Sequence, residues 1–382
     1  MFPSKNRYLQ NLYSRIQLRS VVLSQSMEGV TPPSVFVGRV GYPKVSIGPM
    51  MTVEADDPVT VDRPENWSRS TVEDILSFRM QLVRGTHSVG VKENNSFVQN
   101  MQEIALAKNS VDIETQFTKV PTGTFINEEV QPYGPTAPIK SVSTGSIKME
   151  KNMEKAYYDT DLLSKNAVIN LYGRGIPVSS IQKAFSTGSF GKEKNRKLVP
   201  TRWSITAVDD TIGKQLISDI KNYETVGDYS VYECNKLNNR FLILLTPTEW
   251  QYEFLEAFVH VFGSEEMLFV DYEGREGRKT YAGMGGCYYS ARLAVAEKLK
   301  KMKKQSGALV FRESYHGYVP LGVWLIREHV REAMRSQPRN FSDFDSALGY
   351  IYSKLLLHPS RYVRQSTLLR QQILKNRTVI IH

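Results

Sequence analysis

The chain has 382 residues, of which 41% are hydrophobic and 10% aromatic, so it can bury a large core and is not intrinsically disordered. Its 49 basic and 39 acidic residues leave a net charge of +10, which favours polyanionic partners such as nucleic acid or phosphorylated ligands. The two cysteines exclude a cysteine zinc ribbon and argue against a disulfide framework. Because no apolar run reaches the roughly 20 residues of a membrane helix, we expect a cytoplasmic protein with no membrane partner. The six histidines form no cluster with metal-ligand spacing, so the sequence assigns no metal ligands.

The first 30 residues form a basic segment. Lys5, Arg7, Arg15 and Arg19 all precede the first acidic residue, Glu28, and apolar residues fall among them at helical spacing. Such a segment is typical of an organellar presequence, of a basic arm for nucleic acid, or of an amphipathic helix packed on the body of the protein. We prefer the packed helix.

Between residues 34 and 155 the spacing of apolar residues first predicts short elements and then, from residue 119, shows no periodicity. The stretch SVFVGRVGYPKVSIGPM at 34–50 indicates short strands broken by glycine and proline, and residues 110–118 alternate cleanly as in a strand. No period holds over 119–155, where YGPTAP is typical of a turn. We therefore place a possible internal boundary within 119–155.

Two helices are predicted at 161–172 and 177–186, joined by Gly173-Arg174-Gly175. This arrangement permits a helix-turn-helix that reads DNA. Two helices joined by a glycine-containing turn are more often plain packing, and we prefer that interpretation.

From residue 199 onward strands and helices interleave. Alternation predicts a strand at 199–208, and a helix follows at 212–223, whereas apolar residues from Trp250 to Phe262 repeat at helical spacing. The interleaving predicts an α/β or α+β fold, with a mixed sheet layered with helices. We expect mostly one large core over 31–360 and a C-terminal helical tail over 361–382.

The predicted strand at 199–208 carries the first candidate site. Its polar face includes Arg202, and Asp209 and Asp210 follow at the junction with the next helix. A carboxylate at that junction caps the helix, which is the structural interpretation. Two adjacent carboxylates exceed what one cap needs, so with Arg202 they could also bind a cation such as Mg²⁺ or orient a ligand. Both interpretations stay open.

The second candidate site is a glycine-rich loop. Gly283, Gly285 and Gly286 lead into a helix whose first N–H groups make an anion site, and Arg292 lies two turns further on. The structural alternative is a simple turn. Arg312 belongs to FRESYHGYVP, which follows a predicted strand and is a candidate wall of the same site.

Two basic runs are candidates for phosphate contacts. They are KEKNRK at 192–197 and KLKKMKK at 298–304. The second ends a predicted helix, where lysines also compensate the helix dipole. A solvated surface is the default interpretation for both runs.

Several long segments resemble the archaeal Nre family of DNA repair proteins. They are FVGRVGYPKVSIGPM, YGPTAPIK, YYDTDLLSKNA and KLVPTRWSITAVDDTIG within 34–213, and GMGGCYYSARLAVAEKL and ALVFRE extend the likeness to about 335. The chain lacks the N-terminal CPxCG-type zinc motif of one branch, so it resembles the zinc-less, NreB-like branch. The resemblance implies DNA damage repair and a C-terminal peptide that binds the sliding clamp PCNA.

The tail matches that clamp peptide only in part. RQSTL at 364–368 supplies Gln365 and Leu368, but Gln371 and Gln372 occupy the two positions that should be aromatic. The missing aromatic residues weaken the expected contact. A packed C-terminal helix is the alternative interpretation.

Two functions follow. The first is a DNA repair protein that acts with DNA and with PCNA. The alternative is a nucleotide- or phosphate-processing enzyme with a basic anion-binding cleft, for which the sequence assigns no reaction. That cleft would gather Arg39, Arg202, Asp209, Asp210, Gly283, Gly285, Gly286, Arg292 and Arg312.

Overall fold

The computed structural model describes residues 22–53 and 58–379. These residues divide into two compact units. The first unit runs to Ile212 and includes Pro320–Trp324, and the second comprises Gly213–Val319 and the residues from Leu325 onward. The basic N-terminal cluster of Lys5, Arg7, Arg15 and Arg19 lies outside the described residues.

A six-stranded sheet organises the first unit. Its strand order is β1-β5-β6-β4-β3-β2, in which β4 and β6 pair in parallel and the other neighbours pair antiparallel. Residues of β5 alternate between buried and exposed, as the sequence predicts. The strands are β1 Ser26–Thr31, β2 Val35–Val37, β3 Lys44–Met51, β4 Val83–Gly90, β5 Val111–Phe117 and β6 Thr136–Thr144.

Among the described residues, six α-helices of the first unit precede a seventh, whose last residues belong to the second unit. Apolar residues of α3 pack with those of β2 and β3 in one buried cluster. Residues 119–155, where we predicted a boundary, contain β6 and the start of α4 and lie inside the first unit. The helices are α1 Pro58–Val61, α2 Val72–Met80, α3 Ser96–Leu106, α4 Lys151–Tyr158, α5 Ser164–Gly173, α6 Val178–Ser186 and α7 Thr201–Ile220.

The two predicted helices around Gly173-Arg174-Gly175 are present as α5 and α6. A DNA-reading helix-turn-helix needs an accessible second helix. In α6, however, six of nine residues are buried, including Ile181 and Gln182. The pair therefore packs into the first unit, as the preferred interpretation states.

The strand predicted at 199–208 is wrong, because α7 begins at Thr201. The Pro200 carbonyl accepts from the N–H groups of Trp203 and Ser204, which starts the helix. Buried residues then recur at the four-residue spacing of Ser204, Val208 and Ile212. The β-branched and aromatic residues in the stretch imitate a strand when only ten residues are considered.

A second six-stranded sheet organises the second unit. Its order is β10-β9-β11-β8-β7-β12, with β9 and β11 parallel and the other neighbours antiparallel. The helical spacing noted between Trp250 and Phe262 is therefore misleading, because β9 is an interior strand with both faces buried. The strands are β7 Tyr229–Lys236, β8 Asn239–Thr246, β9 Gln251–Val259, β10 Glu266–Glu273, β11 Gly307–Ser314 and β12 Arg339–Phe341.

Five further helices follow in this part of the chain. They are α8 Gly286–Met302, α9 Trp324–Arg335, α10 Phe344–Tyr352, α11 Pro359–Gln365 and α12 Thr367–Val379. Residues from the last three pack with the sheet in one buried cluster, which includes Tyr362, Leu368 and Leu369.

Two buried glutamates hold the C-terminal helices. Glu253 of β9 accepts from the backbone N–H groups of Thr367 (2.7 Å) and Leu368 (3.0 Å) and from the Ser366 hydroxyl, so it caps α12. Burial raises the pKa of Glu253. Glu313 of β11 accepts from the N–H of Leu357 at 2.8 Å and from the hydroxyl of Tyr362 at 2.8 Å.

The fold class is as predicted, since both units layer helices on a mixed sheet and the chain closes with helices. Within the described ranges, no helix combines the length and the apolar composition that crossing a membrane requires.

Candidate nucleic-acid interface

Two of the predicted site residues, Arg39 and Arg202, meet at one carboxylate. Arg39 lies between β2 and β3, and Arg202 lies in the first turn of α7. The distance from Glu129 is 2.7 Å for the Arg202 guanidinium and 3.8 Å for that of Arg39. Two guanidinium groups thus share one negative charge at a partly exposed position.

Asp209 and Asp210 lie in the interior of α7 and do not cap a helix. Asp209 is fully buried, and its Oδ1 accepts from the Gln182 side chain at 2.8 Å. Successive residues of a helix point about 100° apart, so the two carboxylates leave the helix in different directions. Among residues 22–53 and 58–379, no group of three or more potential ligands from His, Cys, Asp and Glu could hold a metal ion.

The glycine-rich loop already holds a carboxylate of the protein itself. Gly285 has φ +65°, a conformation that favours glycine, and α8 begins at Gly286. The N–H of Met284 donates to Asp271 at 2.8 Å, and Asp271 also pairs with Arg278 at 2.8 Å. Gly283 is exposed beside this contact. Asp271 therefore takes the place near the loop that an external anion would need.

The two predicted arginines of the second unit form buried ion pairs. Arg292 of α8 pairs with Glu273 at 2.7 Å, and both side chains are at most 2% exposed. Arg312 of β11 pairs with Glu256 and also donates to the Asn239 side chain at 2.7 Å. Burial disfavours the charged guanidinium, but the adjacent Glu256 carboxylate raises the pKa of Arg312. Both positive charges are balanced inside the protein.

A pocket of the first unit has a mostly apolar lining and includes Glu129 in its wall. It has an empty volume of about 570 Å³, part of it open to solvent, and α7 contributes Thr201 and Ile205 to its lining. Asp62 in this pocket pairs with Arg79 at 2.6 Å and with Lys183 at 2.7 Å. Burial alone would raise the pKa of Asp62, but the two cations hold it below its usual value.

A larger groove of the first unit carries unbalanced positive charge. Its volume is about 1160 Å³, part of it open to solvent. We call it the basic groove and define it by its basic and aromatic lining residues, which are Lys92, Tyr157, Tyr158, Lys194, Arg196 and Lys197.

The lysines of the basic groove are exposed and have no acidic partner. In the part of the chain that the structure describes, none of Lys92, Lys194 and Lys197 makes a salt bridge. The lining also contains two acidic residues, Glu93 and Glu193, so the basic residues outnumber the acidic ones. The Glu93 carboxylate accepts from the Gly90 N–H at 2.6 Å, which keeps it at its own turn.

Arg196 and the two tyrosines form the wall of the basic groove. Arg196 donates to the carbonyls of Gly191 at 2.8 Å and Asp159 at 2.9 Å, and its guanidinium lies 5.6 Å from the Tyr157 ring centre. Burial lowers the pKa of Arg196 and raises the pKa of Tyr157. Tyr158 is 67% exposed, and its ring centre lies 5.2 Å from that of Tyr157. The groove thus combines two aromatic rings with exposed cations.

Comparison with known proteins gives the family. The family model for the N-terminal part of archaeal Nre matches residues 5–261, and the model for the C-terminal part matches residues 273–380. The chain belongs to the archaeal Nre family. No solved structure matches it.

Three relatives of this Nre chain carry repair names. "DNA repair protein NreB" of Archaeoglobus fulgidus is 40% identical over 92% of this chain and 91% of its own length. "DNA repair protein NreA" of the same organism is 35% identical over 87% and 86%, respectively. "DNA repair protein NreA" of Haloferax volcanii is 31% identical over 94% and 90%. The chain is NreB-like, as its motifs predict.

The sequence shows the residues of the basic groove, but it does not show that they lie together in the fold. KEKNRK was recognised as a basic run, and YYDTDLLSKNA was recognised only as a motif of the Nre family. About 35 residues separate Tyr158 from Lys194, and the hydrogen bonds of Arg196 to residues 159 and 191 bring these segments together. A basic run and a tyrosine pair at such a separation give no sequence signal of a shared surface.

Proposed function

We propose that this chain is a DNA repair protein that binds DNA in the basic groove and acts in the cytoplasm, where archaeal DNA lies. Its relatives are named DNA repair proteins. The observation that carries the proposal is the set of exposed, unpaired lysines beside the exposed Tyr158 ring. A site of this composition suits a phosphate backbone with accessible bases.

The basic groove favours single-stranded or distorted DNA over intact duplex. Lys92, Lys194 and Lys197 neutralise phosphates of any sequence, which gives affinity that falls with salt. Tyr157 and Tyr158 can stack only on bases that have left the duplex stack. Unpaired and unstacked bases are typical of damaged DNA, so the preference agrees with a repair role.

The test compares two lysine pairs by fluorescence anisotropy with labelled oligonucleotides over a range of salt. The variant Lys194→Ala/Lys197→Ala removes two unpaired charges of the basic groove. We expect weaker binding and a slope of log affinity against log salt that is smaller by about 1.4, the value for two phosphates on a single strand.

The matched control is Lys300→Ala/Lys304→Ala. It also removes two lysines, but these are paired with Asp219 and Glu224, each at 2.9 Å. We expect this control to bind like the unmodified chain. Equal affinity and equal slope for both double variants would contradict binding in the basic groove.

The second part of the proposal is a contact with PCNA through the C-terminal tail. Gln365 is exposed and available for such a contact, but Leu368 is 1% exposed in the buried cluster of the second unit. Binding of the clamp through both residues requires that Leu368 leave the core. We therefore expect a weak contact, which the absent aromatic residues weaken further.

The clamp contact is tested by the substitution Gln365→Ala, which alters an exposed side chain and leaves the core intact. Pull-down of PCNA by the unmodified chain, with reduced retention by Gln365→Ala, would support the contact. Equal retention by both chains would remove the tail from the interaction.

The pocket beside Glu129 favours a second candidate function, a nucleotide- or phosphate-processing enzyme. Lys183 and Arg79 both pair with Asp62 there, and Arg39 and Arg202 both pair with Glu129, so each pair of cations meets one carboxylate in the described part of the chain. Calorimetry with inorganic phosphate and with nucleotides, each with and without Mg²⁺, tests this candidate. The absence of heat from every ligand would exclude it.

A further inference from the structure

One tryptophan of the four is exposed to solvent. Trp203 of α7 is 43% exposed, whereas Trp67, Trp250 and Trp324 are at most 5% exposed. An indole ring in water forgoes the stabilisation that its burial would give the fold. A large aromatic residue in this position is more typical of a surface that binds something.

Trp203 belongs to a small aromatic surface. The ring centre of Tyr42 lies 5.0 Å from that of Trp203 at an interplanar angle of 59°. Tyr42 is itself 43% exposed, and the neighbouring Val40 is 87% exposed. We call these three residues the aromatic tip.

The backbone on both sides of the aromatic tip is fixed. The Val37 N–H at the end of β2 donates to the hydroxyl of Thr201 at 2.9 Å, which joins that strand to the start of α7. The Pro43 carbonyl accepts from the Val91 N–H at 3.0 Å. Trp203 is therefore held on a helix, and Tyr42 lies in a turn that hydrogen bonds fix on both sides, which reduces the entropy lost when a ligand stacks on the rings.

Positive charge flanks the aromatic tip. Arg39 directly precedes Val40, and Arg202 directly precedes Trp203. Both guanidinium groups pair with Glu129, so two positive charges meet one carboxylate there. Rings flanked by excess guanidinium charge suit an anionic ligand with a flat π face. A nucleobase with its phosphate has this chemistry, whereas an apolar protein helix does not.

The aromatic tip is close to the basic groove along the chain. Leu198 lines the groove, and its N–H donates to the Val91 carbonyl at 2.8 Å. Lys197 and Trp203 are six positions apart in the chain, so their Cα atoms are at most about 20 Å apart. A strand of a few nucleotides spans such a distance.

We propose that the aromatic tip is a stacking platform for an unpaired base of the DNA strand that occupies the basic groove. The inference rests on the proposed function and extends it, because it specifies a ligand with at least one base free of pairing next to the groove. Trp203 and Tyr42 supply the stacking faces, and Arg39 and Arg202 supply the phosphate contacts.

The test uses the fluorescence of Trp203 in the full chain. Stacking of a base on an indole quenches its emission, and the other three tryptophans are buried from such contact. We expect a single-stranded oligonucleotide to quench the emission and a blunt duplex of the same sequence to quench it much less. Trp203→Phe should abolish the quenching and keep most of the affinity, since a ring remains.

Trp203→Leu removes the stacking face, and we expect its affinity for single-stranded DNA to fall by about fivefold or more. The matched control is Phe269→Leu, which removes another aromatic ring, 41% exposed, from the second unit. This control should bind DNA as tightly as the unmodified chain does.

The outcomes separate the inference from the proposed function. Anisotropy that reports binding to the basic groove, without any change in Trp203 emission, would overturn the platform alone. Equal quenching by the single strand and the blunt duplex would also overturn it, since paired bases cannot stack on the tip. No binding by anisotropy would overturn both proposals.

Discussion

The basic groove and the core of the second unit both contain basic residues, but in opposite situations. In the groove, Lys194 and Lys197 are exposed and make no salt bridge among the described residues. In the second unit, Arg292 and Arg312 are buried against Glu273 and Glu256. Of these four residues, the two lysines of the groove carry the charges that a ligand can reach.

This difference shows why net charge is a weak guide to a binding site. A buried arginine adds to the count of basic residues, but its charge is used to offset the desolvation of its partner glutamate. An exposed lysine without a partner keeps its charge for phosphate. Three experiments test this contrast, and they follow from the largest expected effect to the smallest.

The largest effect is expected for Arg312→Met. The substitution leaves the Glu256 carboxylate buried without its cation, which should lower the free energy of unfolding by about 3–5 kcal/mol. Thermal or urea denaturation measures the loss. Arg312→Met combined with Glu256→Gln should recover part of it. Unchanged stability in Arg312→Met would show that the core does not need the charge of Arg312. It would contradict the contrast between buried and exposed basic residues.

A smaller effect is expected from His329 of α9 in acid. Burial lowers the pKa of His329 from 6.5 to about 4, and its ring lies 5.6 Å from that of Phe241. The unfolded chain therefore takes up the proton at a higher pH than the folded chain does. The stability is complete above pH 6.5 and falls as the pH decreases towards 4, by up to about 3 kcal/mol.

Denaturation at several pH values measures this loss for the unmodified chain and for His329→Phe. The variant should show a flatter dependence between pH 6.5 and 4. His316→Ala, which alters an exposed histidine of the same unit, serves as the control and should keep the original curve. Identical curves for all three chains would contradict the role of His329.

The smallest effect on stability is expected for Tyr158→Ala. The side chain is 67% exposed, so the denaturation midpoint should not change measurably. The affinity for single-stranded DNA should fall by about 1–3 kcal/mol, the range for one stacked base. Tyr158→Phe keeps the ring and should bind normally. Full affinity in Tyr158→Ala would contradict base stacking on this ring and would attribute binding in the groove to electrostatic contacts.

The sequence predicted an element correctly where the spacing of its apolar residues matches the face that is buried in the structure. β5 faces the core on one side only, so its alternation was visible in the residues 110–118. β9 is buried on both faces, so it has no alternation, and its aromatic residues matched a helical spacing by coincidence. The prediction at the start of α7 failed for the opposite reason. Trp203, Ile205 and Ala207 alternate with polar residues there, over a stretch shorter than the helix.

The candidate site was predicted less well, because a sequence shows residue types but not their partners. Arg39 and Arg202 do approach each other, through Glu129, which the sequence did not indicate. Nothing in the residues themselves distinguishes Arg292, matched by Glu273, from Arg196, which donates to carbonyls. The partners lie 19 positions away for Arg292 and 5 and 37 positions away for Arg196, and no sequence pattern marks them, so only the fold defines them.

The cap that Glu253 provides for α12 affects how the tail can be studied. A deletion that begins before Ser366 would strip a buried carboxylate of three hydrogen-bond donors and would remove Leu368 and Leu369 from the core. A shortened chain would then lose activity through misfolding, whatever the tail binds. Mapping by truncation would thus confuse a structural segment with a recognition peptide, and single exposed positions such as Gln365 are the better probes.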